Sequence, residues 1–330
     1  MKVKFLPLAL CGVLCSGALA FTSCTDERVV RVYAPDGAPA LALAQLLAED
    51  ETGDGVEYTV TSANKIATFV TGRDPQADVC VLPVNLASTL LGDGSVYQMV
   101  GLATHGNMYL LSADPTTYDA TSAEGLKGKK IGVVQLGNVP GLTFRSALSR
   151  LGVSYSLTGV SADDAYLYAV QPTEVSPLGE ADVYLCPEPA ASAKIKAFTA
   201  QGKPFYTVGD LQTLYGGAEG YPQACVVAKK SFIAGNPAAF DKIIDGLTAG
   251  SAFLSTAEIS TVCDAVASHL EAGLAATFST ANLTQEVIAR CNVRFERSEY
   301  CYARVDAFLG ELTAIAPNSA SAVAPDFYYF

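Results

Sequence analysis

Few residues in this sequence have the types and spacings that catalytic or metal sites need. The two histidines, His105 and His269, are far apart, and the CxxC, HExxH and GxSxG patterns are all missing. An acid/base pair such as Asp36 with Glu188 stays open, although a hydrogen-bonding cap on a loop is the simpler interpretation of each carboxylate. We therefore predict no catalytic residue, no metal site and no cofactor.

Reversible binding of a small molecule is the chemistry that the polar residues favour. They occur in five loops, each between a strand-like segment and a helix-like segment. Such loops expose the free N–H groups and the positive dipole end of a helix N terminus, which makes a polar rim. A glycine such as Gly37 also lets the backbone approach a ligand closely. The loops are residues 36–38, 62–64, 83–85, 137–141 and 187–189.

The predicted ligand-binding residues come from these loops and from two further β-rich segments. Asn64 and Asn85 could instead serve only as helix caps, and Glu188 could bond the backbone N–H groups of its own loop. Tyr221 could stack on a ligand or pack in the core. The predicted set is Asp36, Gly37, Ala38, Ser62, Asn64, Asn85, Thr104, Gly137, Asn138, Glu188 and Tyr221.

The elements that must position these loops follow a β-turn-α pattern that occurs in two series. The first contains RVVRVYA, VEYTVT and DVCVLP, with helices at about 39–49, 64–71 and 86–91. After a long β-rich stretch, the second contains KKIGVVQ, VSYSLTGV and DVYLCPE, with helices at about 142–151, 163–169 and 190–200. The chain then reads QACVVAKKSF and is helical before an irregular, aromatic tail. This alternation predicts an α/β fold of mostly parallel sheets flanked by helices.

Two α/β series with long β connections predict two lobes joined by strands. We expect a signal peptide at 1–23, a discontinuous lobe I at 28–107 and 217–330, and lobe II at 108–216. Ligands of open α/β sheets bind beyond the carboxyl ends of the strands, so the five loops would meet between the lobes.

The first residues indicate export. Lys2 and Lys4 precede FLPLALCGVLCSGALAF, which is short for a bilayer-spanning helix and ends in small residues. Two cleavage interpretations stay open: Ala-Leu-Ala at 18–20 fits ordinary secretion, and Phe-Thr-Ser-Cys at 21–24 is a loose lipobox. We predict that Cys24 carries a lipid, which would anchor the protein outside the cytoplasmic membrane. The alternative is a secreted or periplasmic protein.

The net charge bears on the class of partner, and the cysteines bear on disulfide bonding. The net charge of −12 becomes about −14 without the signal segment, which argues against a nucleic-acid partner. Six cysteines follow Cys24. Cys80, Cys186 and Cys225 lie in strand-like runs, where we expect buried thiols. A disulfide among the other three, Cys263, Cys291 and Cys301, stays open.

Several segments, in order, make this sequence resemble the extracytoplasmic solute-binding proteins of ABC importers. It is most similar to the nitrate/sulfonate/taurine-type receptors and the binders of thiamine pyrimidine precursors. The similarity extends over about 28–316, and LKGKKIG and PEPA are its most specific parts. The segments are YAPDGAPALALAQLL, SANKIATFVTGRDPQADVCVLPVNLAS, GNMYLLS, LKGKKIGVVQLGNVPGLTFRSALSRLG, EADVYLCPEPAAS, YPQACVVAKKSF and CNVRFE.

The resemblance implies a fold and a function. The fold would be the type 2 periplasmic-binding-protein fold, with two α/β lobes joined by two crossing strands and a ligand trapped between them. Gly37, Asn64, Asn85, Asn138 and Glu188 would face that cleft. The partners would be a small-molecule ligand and an ABC permease in the membrane, and the protein would be a monomer. An exported enzyme on the same scaffold is the alternative, because one fold can host both activities.

The composition of the loops also bears on the ligand. They contain no arginine, and Lys65 is their only close cation. A receptor for α-amino acids usually needs an arginine fork for the carboxylate. We therefore expect a neutral or weakly basic heterocycle, such as a pyrimidine-like vitamin precursor, ahead of a sulfonate or nitrate.

Overall fold

The computed structural model describes residues 29–50, 55–117 and 123–330. The predicted signal segment and Cys24 lie outside these ranges. The described residues form twelve strands in two six-stranded sheets. The strands are β1 (Val30–Pro35), β2 (Val56–Thr61), β3 (Val79–Pro83), β4 (Tyr97–Thr104), β5 (Met108–Ser112), β6 (Lys130–Val134), β7 (Tyr155–Ser156), β8 (Ala165–Val170), β9 (Val183–Pro187), β10 (Tyr206–Asp210), β11 (Ala224–Lys229) and β12 (Val293–Arg297).

One sheet is built from two separate parts of the chain, β1 to β4 and β11 to β12, and the other from the continuous part β5 to β10. The first has the order β12-β4-β11-β3-β1-β2, and β1 to β4 run in one direction. The second has the order β10-β5-β9-β6-β8-β7, in which every strand except β5 runs in one direction. We call the first sheet with its helices lobe I and the second lobe II. The predicted α/β fold class is confirmed.

Helices follow most of the strands, as the β-turn-α pattern predicts. The predicted helix at 39–49 is divided in two by a turn at residues 42–43. The helices are α1 (Ala38–Leu41), α2 (Ala44–Ala48), α3 (Ile66–Val70), α4 (Val84–Leu91), α5 (Val139–Arg150), α6 (Ala190–Thr199), α7 (Leu211–Gly216), α8 (Lys230–Gly235), α9 (Pro237–Thr256), α10 (Ile259–Ser268), α11 (Gln285–Arg290) and α12 (Ser298–Ile315).

The prediction of a helix at about 163–169 is wrong, because residues 165–170 form strand β8. Ala165 and Leu167 are buried, whereas Tyr166 and Tyr168 are half-buried, which is the period-two alternation of a strand. From Tyr166 to Val170, β8 pairs in parallel with β6. Tyrosine favours strands, and here the backbone hydrogen bonds of the sheet override the local helical tendency of the alanines.

Both faces of the first sheet are buried under helices. In β11, Cys225 and Val227 belong to one hydrophobic cluster, with α3, α4 and α12. Val226 and Ala228 belong to a second cluster, with α1, α2, α9 and α10. Burial on both faces explains why β11 reads as a continuous apolar run rather than an alternating one.

The six described cysteines are buried free thiols, as expected for Cys80, Cys186 and Cys225. The structure therefore contains no disulfide among Cys263, Cys291 and Cys301. Among the described residues, no helix is both long enough and apolar enough to cross a membrane.

The carboxyl edges of the two sheets face each other because the chain crosses between them there. β1 to β4 end at one edge of the first sheet, where Ala224 pairs with both Pro83 and Thr104. In the second sheet β5 begins at the edge where the parallel strands end, and Met108 pairs with Pro187. Only residues 105–107 separate β4 from β5. The second link, from β10 to β11, also joins these two edges.

Helix α12 of lobe I also packs on lobe II. Arg145 on α5 donates from Nη2 to the carbonyl oxygen of Ile315 at 3.0 Å. Ser146 Oγ and Tyr215 OH both donate to Glu311 Oε2, at 2.9 and 2.8 Å. The lobes therefore touch along α12 as well as through the two links.

The first link is held tightly from both sides. The backbone carbonyl oxygen of Asn292 accepts a hydrogen bond from His105 N at 3.1 Å, and Asn292 Nδ2 donates to His105 O at 2.8 Å. A Cβ at Gly220, whose φ is 64°, would overlap the carbonyl oxygen of His105, so only glycine lets the second link approach so closely. The His105 ring is fully buried, and its Nε2 lies 3.1 Å from Arg294 O. Burial, and then the nearby Arg294 charge, lower the pKa of His105 to about 3.

This histidine should make the protein sensitive to acid. Above pH 6.5 His105 is neutral in both the folded and unfolded states. As the pH falls from 6.5 toward 3, only the unfolded state takes up the proton, so the free energy of unfolding should fall by up to about 1.4 kcal/mol per pH unit from this residue.

Urea unfolding followed by circular dichroism, at several pH values between 3.5 and 8, measures this effect. His105→Gln, which keeps a donor for Arg294 O, should show a shallower loss of stability in acid than the wild type. Parallel pH profiles for the two proteins would contradict the assignment.

Candidate functional site

The structure places the predicted residues on the two facing edges or at the links between them. Asp36 and Ser62 follow β1 and β2, Asn85 lies in the first turn of α4, and Thr104 ends β4. On the opposite edge, residues 137 and 138 follow β6 and Glu188 follows β9. The residues thus lie around one interlobe space, and contact of any of them with a ligand stays a prediction.

Asp36 is engaged in holding a neighbouring segment. Its Oδ2 accepts hydrogen bonds from Thr277 N at 2.9 Å and from Thr277 Oγ1 at 2.6 Å. Its Oδ1 accepts from the backbone N–H of Gly37 at 2.9 Å. Gly37 has a φ of 103°, and Ala38 is buried. Asp36 thereby ties Thr277, in the segment between α10 and α11, to the end of β1.

The cation of the first-lobe loops is also engaged. Lys65 Nζ lies 2.7 Å from Glu271 Oε1, and Thr61 Oγ1 donates to Glu271 Oε2 at 2.7 Å. The hydrogen bonds from Lys65 and Thr61 lower the pKa of Glu271. Ser62 contributes its carbonyl oxygen to the turn, accepting from Lys65 N. Lys65 is therefore paired with a carboxylate of its own chain.

Three exposed amide side chains at the edges have no hydrogen-bond partner among the described residues. Asn64 precedes α3, and Asn138 caps α5 by position without a side-chain cap bond. Gln135 was not predicted; its φ of 60° is unusual for a residue other than glycine. Backbone conformations of this kind cluster at functional sites, and the residue type alone gave no signal of it.

Buried polar atoms without partners occur at the junction of the lobes. Thr104 Oγ1 and Gln223 Oε1 are both buried and have no hydrogen-bond partner in the part of the chain that the structure describes. Gln223 Nε2 donates to Asn107 Oδ1 at 3.0 Å, and Asn107 Nδ2 donates to Glu188 O at 2.9 Å. An unmet buried polar group costs about 1–3 kcal/mol, so a ligand that satisfies Thr104 and Gln223 would recover that cost. Gln223 was not among the predicted residues.

Tyr221 belongs to the core. Its side chain is fully buried, and its ring centroid lies 5.9 Å from that of Tyr215 and 6.1 Å from that of Phe308. Burial raises the pKa of Tyr221. This favours core packing over ligand stacking for this residue.

Asn85 also has a partner. Its Nδ2 donates to the carbonyl oxygen of Ser319 at 3.0 Å, and its own carbonyl oxygen accepts from Ser88 Oγ at 2.7 Å. The side chain thereby ties α4 to the segment that follows α12.

Glu188 is the most enclosed of the predicted residues. Its side chain is fully buried, and Oε1 lies 2.5 Å from Arg290 Nε, on lobe I. The Arg290 guanidinium lies 3.8 Å above the Tyr109 ring, and Nη2 donates to Thr207 Oγ1 at 3.2 Å. Arg290 was not predicted, because nothing in its helix distinguishes it from a surface arginine. The two side chains form an interlobe ion pair beside the first link.

A groove of about 410 Å³ opens beside this ion pair, between α6 and β10 on lobe II and residues 281–287 on lobe I. Lys196, Thr207 and Arg290 lie on its walls. Lys196 Nζ donates to the carbonyl oxygen of Ala281 at 2.7 Å, which bridges the lobes a second time. Among the described residues, no group of three histidine, cysteine or acidic side chains could hold a metal ion.

No protein-family model matches the chain, and no curated protein matches it in sequence. Solved structures do match. A protein described as an ABC transporter from Parabacteroides distasonis is 20% identical, with a TM-score of 0.71, over 92% of this chain and 99% of that one.

Two further structures are informative. The periplasmic aliphatic sulphonate-binding protein SsuA from Escherichia coli is 14% identical, with a TM-score of 0.60, over 91% and 90% of the two chains. The ligand-binding component of an ABC-type import system from Staphylococcus aureus, solved with zinc bound, is 10% identical, with a TM-score of 0.59, over 92% and 96%. Together with the two sheets and their facing edges, these matches show that the chain has the periplasmic-binding-protein fold of ABC-importer solute-binding proteins, as the sequence resemblance implied.

Proposed function

We propose that this protein captures a small organic solute between its lobes and delivers it to an ABC permease in the membrane, acting as a monomer. The observation that carries the proposal is the pair of facing carboxyl edges with unpartnered buried polar atoms at their junction. Solute-binding proteins among the structural neighbours support it. Lobe I would comprise residues 28–107 and 217–330, and lobe II residues 108–216, which is consistent with the strands of each sheet.

The alternative is an exported enzyme on the same scaffold. It requires a reactive group at the cleft, whereas Asp36 and Glu188 are both held by hydrogen bonds or an ion pair. Mass spectrometry of the ligand after incubation separates the two: unchanged ligand favours the receptor and a new product favours the enzyme.

The polar groups that remain free favour a neutral ligand. Lys65, Lys196 and Arg290 are cations beside the two edges, and each already has an acceptor within the chain. Among the residues that the structure describes, the groups there without a hydrogen-bond partner include the side-chain amides of Asn64, Gln135 and Asn138, together with Thr104 Oγ1 and Gln223 Oε1. Amide side chains both donate and accept, which suits the edge of a heterocycle. We therefore propose a neutral or weakly basic heterocycle, ahead of a sulfonate or nitrate.

A thermal-shift panel tests this ligand class. Pyrimidine-type heterocycles should raise the melting temperature, because a ligand at 100 times its Kd adds about 2.7 kcal/mol to the free energy of unfolding. Methanesulfonate and nitrate serve as anionic comparisons. Stabilisation by amino acids or peptides alone would show that the cleft has been misinterpreted.

Thr104→Val tests whether the unpaired hydroxyl at the junction of the lobes takes part in ligand binding. The substitution keeps the shape but removes the unpaired hydroxyl, so the ligand-free protein should be as stable as the wild type or slightly more stable. Ligand affinity, measured by calorimetry, should fall by about 1–3 kcal/mol, roughly 5- to 150-fold.

Thr143→Val is a matched control, since Thr143 is equally buried but donates to Val139 O at 2.7 Å within α5. It should lower stability and leave affinity unchanged. Equal affinity in Thr104→Val and the wild type would remove Thr104 from the site.

We also propose that Cys24 carries a lipid that anchors the receptor near its permease. Cys24→Ala should then move the protein from the membrane fraction to the soluble fraction, as seen by fractionation and immunoblotting. A wild-type protein that is already soluble would indicate cleavage after Ala20 and a secreted or periplasmic protein.

A further inference from the structure

The Glu188 carboxylate lies against the start of helix α6, a ten-residue helix in lobe II. Its Oε2 accepts a hydrogen bond from Ser192 N at 3.0 Å, and its Oε1 accepts from Ser192 Oγ at 2.7 Å. Free N–H groups and the helix dipole make such a helix end attractive to anions. Here the chain fills that position with its own carboxylate.

A cation from the other lobe completes the enclosure. Arg290 Nε contacts Oε1 at 2.5 Å, and the guanidinium is held in place by the Tyr109 ring and by Thr207. The carboxylate is fully buried, whereas Arg290 retains partial exposure to solvent. One buried negative charge therefore joins a helix N terminus of lobe II to an arginine of lobe I.

We propose that the Glu188 carboxylate is a built-in substitute for an anionic ligand and acts as a specificity determinant that excludes anionic solutes. It occupies the donors that an anion would use and neutralises the Arg290 charge, so a second anion finds neither a free N–H group nor an unpaired cation there. This inference rests on the proposed solute-binding function and defines its substrate class as neutral or cationic.

The proposal predicts what removal of the carboxylate creates. Glu188→Ala leaves Arg290 Nε and the two Ser192 donors without their acceptor, beside a space the size of a carboxylate, while Arg290 Nη2 keeps its bond to Thr207. A buried charge that loses its partner is strongly unfavourable. Small planar anions such as acetate, formate and nitrate should therefore bind the variant and restore its stability.

The experiment compares melting temperatures in acetate and in chloride at equal ionic strength and pH 7.5. Glu188→Ala should melt below the wild type in chloride, and acetate should raise its melting temperature saturably by about 2–4 °C or more. The wild type should show no saturable response. The double variant Glu188→Ala/Arg290→Met should lose the response, because the cation that holds the anion is gone.

Glu271→Ala is the matched control for loss of a carboxylate. Glu271 also pairs with a cation, Lys65, but it is partly exposed. Solvent can hydrate the freed lysine, so acetate should give no saturable rise beyond that of the wild type. If Glu188→Ala does not fold in chloride, the yield of soluble protein on refolding in acetate replaces the melting temperature as the measured quantity.

Two results would overturn the proposal: a response of Glu188→Ala to acetate no larger than that of Glu271→Ala, or saturable binding of methanesulfonate or nitrate by the wild type. Neither result would contradict the capture of a solute itself, although binding of methanesulfonate or nitrate would also contradict the proposed ligand class. A wild-type protein that binds no solute at all would contradict the receptor function, while anion rescue of Glu188→Ala would still be measurable.

Discussion

The constraint on which the rest of the structure depends is that both chain crossings join the sheets at their carboxyl edges. Residues 105–107 are too short to reach any other edge, and the link into β11 returns to the same place. Every loop that follows a parallel strand is thereby directed into one interlobe space. The facing edges follow from this connectivity, and the unpartnered Thr104 and Gln223 atoms and the interlobe ion pair lie where the two sheets meet.

Three charged side chains around that space, Asp36, Lys65 and Glu188, already have partners within the chain. Asp36 accepts hydrogen bonds from Thr277, Lys65 pairs with Glu271, and Glu188 pairs with Arg290. Among the described residues, the side chains at this space without partners are neutral amides and a hydroxyl, which can both donate and accept hydrogen bonds. Recognition would then depend on geometry and on matching donors to acceptors, with little contribution from long-range attraction.

The sequence was sufficient for the fold because buried strands such as DVCVLP are apolar throughout and are followed by recognisable turns. It also located the edge loops, since parallel strands end on one side of a sheet. It failed for β8, where sheet pairing decided between helix and strand. It missed Arg290, which meets Glu188 from 102 residues away and is positioned only by the tertiary fold. Gln223 and Gln135 were missed because residue type does not encode what distinguishes them. Gln223 stands out by a buried oxygen without a partner, and Gln135 by its positive φ.

The contacts of helix α12 bear on how the lobes move. Because Glu311 accepts from Ser146 and Tyr215, and Ile315 accepts from Arg145, the helix is fastened to lobe II as well as to its own sheet. A free swing about the two links would pull all three hydrogen bonds apart. We therefore expect opening to proceed as a shear, in which α12 slides along α5 and α7 by small steps and side chains exchange partners. In the receptor proposed above, such a limited movement would let a solute leave only through a narrow opening between the lobes.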